Sequence, residues 1–218
     1  MPDSSVRKTP PTAGPGAVYP LLFIGAMLAF APLFRSGYPP LAQMTLQLLS
    51  LALLASLAWT HTKKTLIGRS ETIALAALFL APIAFLIPLP SGLVNSLPGR
   101  DIYASIQAQL GIEDGFSRLS LVPFVTESVW LLAIVPVAVF LGVRSLDAQG
   151  LRRLLLILFA IAGGQAILGL MQYGGQSDLL YLGMEPSYRT AVGTYTNRNH
   201  LANHLVMTLP AVLALLIY

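Results

Sequence analysis

The chain has 218 residues, of which 55% are hydrophobic and 10% charged, and it contains no cysteine. An ordinary soluble domain carries about 25% charged residues, so this composition excludes most soluble enzymes and indicates a membrane protein. The net charge is +4, but the basic residues are scattered between apolar runs without a basic stripe, and we therefore expect no nucleic-acid partner.

Apolar segments of about 20 residues, the length that a helix needs to cross a bilayer, recur along the chain. They lack the alternation of polar and apolar residues that marks a membrane β-strand. We therefore predict an all-α, polytopic membrane protein with about six transmembrane helices and two structured outside loops. Residues 1–16 show no periodicity and are predicted to form a flexible cytoplasmic tail before one transmembrane domain, 17–218. The predicted spans are 17–34, 41–60, 72–90, 124–143, 154–171 and 200–218.

The orientation follows from the lysines and arginines of the loops, which favour the cytoplasmic side. A cytoplasmic N-terminus places most basic residues, including every lysine, inside. The alternative is that the first span is a cleaved signal peptide, since Ala29-Phe30-Ala31 loosely fits a small-x-small cleavage site. It is weaker because Pro32 follows directly and five more spans come after it. The inside residues would be Arg7, Lys8, Lys63, Lys64, Arg69, Arg144, Arg152 and Arg153, and the outside ones Arg35, Arg100, Arg118, Arg189 and Arg198.

The first outside loop, 91–123, contains a helical pattern. Ile102, Ile106 and Leu110 recur on one face, and Gly111 ends the run, which predicts a short amphipathic helix. It could pack onto the ends of the spans or act as a lid over a lipid-facing site; its apolar stripe is also typical of helices that lie on a membrane surface.

The residues before the fourth span are predicted to be extended, because Pro123 disfavours helix before it. Thr126 could cap that span, with Glu127 in its first turn, where the helix dipole favours an anion. Trp130, one turn further, is a candidate interfacial anchor.

Polar residues are rare inside the predicted spans. Gln43, Gln47, Gln165 and His204 are the main ones, and a charged relay of the kind that pumps use is not visible. The fifth span also carries a face of small residues, Gly163, Gly164 and Gly169 with neighbouring alanines, which predicts close helix packing.

The second outside loop ends in a polar run that leads directly into the sixth span. Asn197 or Asn199 can cap that helix, whose N-terminus would offer unpaired N–H groups to an anion. Arg189 and Arg198 add positive charge, and a guanidinium suits phosphate because it donates parallel hydrogen bonds. With Gly193 nearby, these residues predict a site for a lipid phosphate or pyrophosphate; the alternative is that both arginines contact headgroups of ordinary lipid.

His200 and His204 stand four residues apart, a spacing that can bind zinc. The zinc-peptidase motif needs Glu after the first histidine, where Leu201 stands, and no acidic residue follows Glu185. We therefore expect no metal, and favour a polar helix start that faces the protein interior.

The same region resembles the O-antigen ligase and O-antigen polymerase superfamily. Its members often show an Arg, then Gly-Thr-Phe, then Asn-x-Asn and an Ala at the start of a span; Tyr195 replaces the usual Phe. Ser120, Pro123 and Thr126 resemble a Ser-x-x-Pro-x-x-Thr segment of many members. The residues that carry the main resemblance are Arg189, Gly193, Thr194, Tyr195, Asn197, Asn199, Ala202, Met207 and Pro210.

The resemblance implies a bacterial inner-membrane glycosyltransferase. Such enzymes take a glycan from undecaprenyl pyrophosphate at the periplasmic face and transfer it to a sugar hydroxyl, on lipid A–core in a ligase or on another carrier-linked glycan in a polymerase. Neither metal nor cofactor is implied. Arg189 matches the family's arginine and Asn199 its asparagine. The expected pyrophosphate-binding residues are Arg189, Gly193, Asn197, Arg198 and Asn199, with His200 as a further candidate.

The resemblance also implies that this sequence lacks a part of the family's enzymes. The family's large periplasmic loop, with a further arginine and a histidine proposed as general base, has no counterpart here, so we assign no catalytic residue. The sixth span ends at Tyr218 without a basic flank. We expect the chain to be the N-terminal half of the enzyme and inactive alone. The alternative is a non-catalytic transporter or assembly scaffold of a polysaccharide export system; a charge pair inside the membrane or duplicated halves would favour transport, and the sequence shows neither.

Overall fold

The computed structural model describes residues 15–34, 39–60, 66–111, 115–175, 178–181 and 190–217. This part of the chain is almost entirely helical, which confirms the predicted all-α class. The predicted tail falls mostly on residues 1–14, which lie outside the described residues. The helices are α1 (Pro15–Leu33), α2 (Pro40–Thr60), α3 (Arg69–Leu86), α4 (Ser91–Asn95), α5 (Asp101–Gln109), α6 (Pro123–Leu132), α7 (Ile134–Ser145), α8 (Ala148–Gly174), a 3₁₀ turn (Asp178–Tyr181) and α9 (Arg198–Ile217), and the strands are β1 (Pro88–Pro90) and β2 (Phe116–Arg118).

Four stretches among the described residues are long and apolar enough to cross a membrane: Pro40–Thr60, Arg69–Leu86, Pro123–Ser145 and Ala148–Gly174. They match the second to fifth predicted spans. Much of their large apolar surface is exposed in the protein, which is compatible with a lipid bilayer, since helices that are apolar all round need an apolar surrounding. Helices also occupy the first and sixth predicted spans, where α1 and α9 lie. Six membrane crossings stay a prediction.

The third predicted span is too long at its C-terminal end. The sequence predicts a span to Pro90, whereas α3 ends at Leu86 and residues 88–90 form β1. The reason is that Pro88 and Pro90 lack the N–H that a helix requires. β1 pairs antiparallel with β2, so that Pro88 lies opposite Arg118 and Pro90 opposite Phe116. The expected extended stretch before the fourth span is confirmed over β2.

The amphipathic helix of the first loop is confirmed as α5. It ends at Gln109, and the predicted terminator Gly111 follows with a φ of 65°, a left-handed conformation that favours glycine after a helix. The side chains of Ile102, Ile106 and Leu110 are exposed. In the described part of the chain nothing covers this apolar stripe, and the stripe is therefore compatible with contact to a membrane surface.

The prediction that Thr126 caps the fourth span is wrong. The helix begins earlier, at Pro123, and no side chain caps it. Proline suits the first helical position because its missing N–H would have no helical partner there. Thr126 instead shares a hydrogen bond of 2.7 Å with the Ser120 hydroxyl, and Glu127 pairs with Arg118 at 3.3 Å.

The fourth span is interrupted at Ala133, between α6 and α7. Pro136 stands three residues later and has no N–H to donate to the carbonyl of Leu132, four residues before it. The N–H of Ala133 still bonds back to the carbonyl of Val129 at 3.1 Å. The two helices therefore follow each other closely enough to form one apolar stretch of 23 residues.

The chain divides into two compact units, residues 1–66 with 138–218, and residues 67–137. In the first unit α1 packs against α2 and α8, and α8 packs against α9. Gly142 permits one close approach in this unit, since a Cβ there would lie 2.8 Å from Cδ1 of Ile24 and 3.1 Å from Cδ2 of Leu53. In the second unit α3 packs against α6.

Trp130 joins α6 to α3 in the second unit. Its indole N–H donates to the carbonyl of Phe79 at 2.9 Å, and the two rings stand 5.5 Å apart between centroids. The tryptophan that the sequence assigns to the membrane interface thus also fixes α6 against α3.

We expect Trp130→Phe to lower the stability of the protein by about 1 kcal/mol, since it removes one hydrogen bond and keeps an aromatic ring. Trp59→Phe is the matched control, because Trp59 is 87% exposed and should change stability by less than about 0.5 kcal/mol. Thermal unfolding in detergent micelles, followed by circular dichroism, measures both. Equal effects of the two substitutions would contradict the role given to Trp130.

Candidate functional site

The structure describes five of the six candidate pyrophosphate-binding residues. Arg189 lies outside the described residues, so its predicted role is not addressed by the geometry. The other five lie on one continuous stretch, which begins as a buried turn and ends in the first turn of α9. They are Gly193, Asn197, Arg198, Asn199 and His200.

A tight turn over Val192–Tyr195 precedes α9. The N–H of Tyr195 donates to the carbonyl of Val192 at 3.1 Å, and Gly193 has a φ of 62°, a conformation that costs an L-residue about 1–2 kcal/mol. A Cβ at this position would clash with Oε1 of Gln165. Glycine is therefore required here both by the backbone conformation and by the space available.

Gln172 holds this turn from the end of α8. Its Oε1 accepts hydrogen bonds from the N–H groups of Val192, at 2.9 Å, and Gly193, at 2.8 Å. Its Nε2 donates to the carbonyls of Gly193, at 2.7 Å, and Leu180, at 3.0 Å. A glutamine amide has two N–H donors and two acceptor lone pairs, so this side chain, 1% exposed, has all its hydrogen-bonding capacity satisfied.

Gln165 holds the next residue of the turn, two helical turns earlier on α8. Its Oε1 accepts from the N–H of Thr194 at 2.9 Å, and its Nε2 donates to the Thr194 hydroxyl at 2.8 Å. That hydroxyl donates in turn to the carbonyl of Pro32 at 2.6 Å. Pro32 lies in the last turn of α1, where carbonyls have no helical partner. The turn thus connects α8 with the end of α1.

The burial of this turn assigns a structural role to Gly193. The sequence places this glycine among the pyrophosphate-binding residues. In the structure it is buried, and Gln172 already occupies both its N–H and its carbonyl. Gly193 therefore forms the turn that positions the residues after it, and its contact with a ligand stays a prediction.

Asn197 begins α9, which selects one of the two predicted caps. Its Oδ1 accepts from the N–H of Asn199 at 2.8 Å, and its carbonyl accepts from the N–H of His200 at 3.0 Å. This bonding is typical of an N-cap residue. Asn199 is instead the second residue of the helix, so its side chain is not used for capping.

Three polar side chains, Arg198, Asn199 and His200, lie in the first turn of α9, and all three residues are exposed. The guanidinium, the amide and the imidazole each offer N–H donors, and they lie at the positive end of the helix dipole. The arrangement can therefore bind an anion at the boundary between the apolar helix and the polar loop.

His204 faces a different environment from His200. Its Nε2 is screened from solvent and has no hydrogen-bond partner in the described structure. Its ring lies 5.8 Å from the ring of Tyr195, a residue that closes the turn and is itself buried. Burial raises the pKa of the Tyr195 hydroxyl to about 12. The expectation that part of this helix start faces the protein interior is met by His204, whereas His200 is exposed.

Sequence reasoning missed the role of the two glutamines. Gln165 stands out as a polar residue in an apolar span, but Gln172 falls just beyond the predicted span, which ends at residue 171. The usable signal is their spacing of seven residues, which places two amides on one face of a helix. What they bind in the turn could not be read from the sequence, because Val192, Gly193 and Thr194 lie 20 residues or more away in the chain.

Compared with known protein families, with curated proteins and with solved structures, the chain matches none.

We expect Gly193→Ala to destabilise the protein by about 2 kcal/mol, because it adds a left-handed penalty and a clash with Gln165. Gly163→Ala is the control on α8, where a Cβ meets nothing within 4 Å. Alanine is favoured over glycine inside a helix by about 1 kcal/mol, so this change should stabilise. Unfolding midpoints in micelles should move in opposite directions; a shift of both in the same direction would contradict the assignment.

Gln172→Leu should destabilise the protein by about 3 kcal/mol, since it leaves two buried N–H groups and two carbonyls without partners. Gln47→Leu is the control, a glutamine of α2 that is only partly buried, and it should be nearly neutral. Denaturant unfolding measures the loss, and amide hydrogen exchange should show faster exchange at Val192 and Gly193. Unchanged protection of these two amides would refute the role of Gln172.

Proposed function

We propose that this chain is part of a bacterial inner-membrane glycan ligase or polymerase of the O-antigen ligase type. In this proposal the chain crosses the membrane six times with its N-terminus in the cytoplasm. The enzyme transfers a glycan from undecaprenyl pyrophosphate to a sugar hydroxyl, on lipid A–core or on another carrier-linked glycan, at the periplasmic face. The residues of this chain bind the carrier.

The observation that carries the proposal is the clamped turn and what it positions. Gln165 and Gln172 fix the turn at Gly193 and Thr194 through hydrogen bonds of 2.7–2.9 Å. The residues directly after the turn form the exposed polar start of a 20-residue helix, α9. Buried polar contacts of this kind are retained where a backbone must hold one conformation. This supports a role in positioning the exposed groups of the first turn for a ligand.

The chemistry of the transfer explains why cationic donors are useful there. When the acceptor hydroxyl attacks the anomeric carbon, the bond from that carbon to the pyrophosphate oxygen breaks, and negative charge grows on the leaving group. Donors aimed at this charge lower the barrier. Arg198 is suited to this because its guanidinium stays protonated and donates in parallel to phosphate oxygens. The proposal gives Arg189, nine residues earlier, the same role on the basis of the resemblance alone.

A binding measurement tests the proposal on the chain itself. In lipid nanodiscs, Arg198→Ala should weaken binding of a polyisoprenyl pyrophosphate by about tenfold, the loss of about 1.4 kcal/mol of charge-assisted hydrogen bonding. The affinity of Arg198→Lys should lie between those of the unchanged chain and Arg198→Ala, because lysine keeps the charge but loses the planar fork. Arg153→Ala, an exposed arginine near the start of α8, is the control and should bind normally.

The outcome that contradicts the proposal is equal affinity in Arg198→Ala and in the control. Arg189→Ala, measured in the same way, tests the residue that only the resemblance identifies. A chain that binds the glycan carrier while neither arginine matters would favour the scaffold or transporter alternative, since such a protein does not need to stabilise a leaving group.

A further inference from the structure

A polar cavity lies in the second unit, between the β1–β2 pair and helices α4 and α5. Its volume is about 420 Å³. Two arginines from different elements reach it, Arg100 before α5 and Arg118 on β2. Its other polar lining includes Asn95, Tyr103, Gln107 and Ser120. None of the described lining residues carries a carboxylate, so the cavity has a positive charge that nothing in its own wall neutralises.

The two arginines are held differently. The guanidinium of Arg100 donates to the carbonyl of Leu119, which fixes its position and leaves most of its N–H donors for another partner. Arg118 pairs with Glu127 at 3.3 Å, and the two side chains are 44% and 46% exposed. An ion pair this exposed is weak, so a phosphate in the cavity can compete for the guanidinium.

An apolar groove of about 360 Å³ lies between α3 and α6 in the same unit. Ala81, Pro82 and Phe85 line it from α3, and Val125 and Val129 from α6. Both helices belong to stretches long and apolar enough to cross a membrane. In a bilayer this groove therefore faces hydrocarbon, where it suits an acyl or isoprenyl chain.

The cavity and the groove adjoin each other. Ser120 lines the cavity and Thr126 lines the groove, and their hydroxyls share a hydrogen bond of 2.7 Å. Pro123, in the wall of the cavity, stands two residues before Val125 in the wall of the groove. The polar cavity thus lies at the end of two helices that are long and apolar enough to belong to membrane-spanning stretches; the ends of such helices are where headgroups meet water when they cross a bilayer.

We propose that the cavity and the groove together bind one lipid with a phosphate headgroup. The arginines bind the phosphate, Tyr103 and the amides contact the rest of the headgroup, and the groove between α3 and α6 receives one chain. A soluble anion would leave the groove unexplained, and an uncharged lipid would leave the arginines unexplained. This site lies in the second unit and is separate from the α9 residues, so it does not depend on the proposed transferase function.

The test is a binding titration of the purified, delipidated chain in detergent, read by native mass spectrometry. Phosphatidylglycerol and a polyisoprenyl monophosphate are the two phosphate lipids, and a neutral diacylglycerol is the lipid without phosphate. We expect either phosphate lipid to bind at least tenfold more tightly than the diacylglycerol. The tighter of the two identifies the source of the phosphate, a membrane phospholipid or an isoprenyl carrier.

Separate variants test the cavity and the groove. Arg118→Gln and Arg100→Gln should each lower the affinity for the phosphate lipid about tenfold. Arg118→Lys should lower this affinity less, and Arg153→Gln should leave it unchanged. Val129→Trp should fill the groove and lower the affinity for the lipid. Inorganic phosphate should bind this variant with the same affinity as the unchanged chain. Circular dichroism establishes that each variant is folded.

Either of two results would overturn the proposal. The first is equal lipid affinity in Arg100→Gln, Arg118→Gln and the Arg153→Gln control. The second is full displacement of the lipid by inorganic phosphate together with no effect of Val129→Trp, which would describe a soluble-anion site. The α9 site is tested by its own variants, Arg198→Ala and Arg189→Ala, so the outcome for each site is read separately.

Discussion

The first unit depends on two buried glutamine amides of α8. An irregular backbone segment packed among apolar helices must find partners for its N–H and carbonyl groups, since each one left unpaired costs about 1–3 kcal/mol. Gln172 supplies four such bonds, and Gln165 supplies one, to the N–H of Thr194, with a second bond to the Thr194 hydroxyl. One apolar helix thereby supports a turn that has one backbone hydrogen bond of its own, from Tyr195 to Val192.

The same contacts link three distant parts of the chain. Thr194 receives a hydrogen bond from α8 and gives one to the last turn of α1, 162 residues away in sequence. The turn therefore has a fixed position relative to both helices. Because α9 starts four residues after Thr194, the turn also fixes where α9 begins. A rigid support of this kind lets exposed side chains hold a geometry that a free loop would lose.

In the second unit, short elements connect the apolar helices α3 and α6. Prolines end α3 and begin α6, and the chain between them forms a two-stranded pair, a short α4 and the amphipathic α5. The hydroxyl pair of Ser120 and Thr126 ties this region to α6, and the indole of Trp130 holds α6 against α3. The result is a polar concavity beside an apolar groove, an amphipathic arrangement that matches the interface of a membrane with water.

The sequence alone determined the helical class, the positions of the long apolar helices and the amphipathic α5. It also limited the cap of α9 to two candidates, Asn197 and Asn199. These features are local: they follow from hydrophobic periodicity, from proline and glycine, and from side chains that bond within one helical turn. Only the tertiary structure decided that Gly193 is buried, that Thr126 bonds to Ser120 and that two glutamines hold the turn. The contacts of Gln165 and Gln172 with the turn join residues 20–29 positions apart, and the Ser120–Thr126 bond joins a loop to a helix; hydrophobic periodicity carries no information on either kind of pairing.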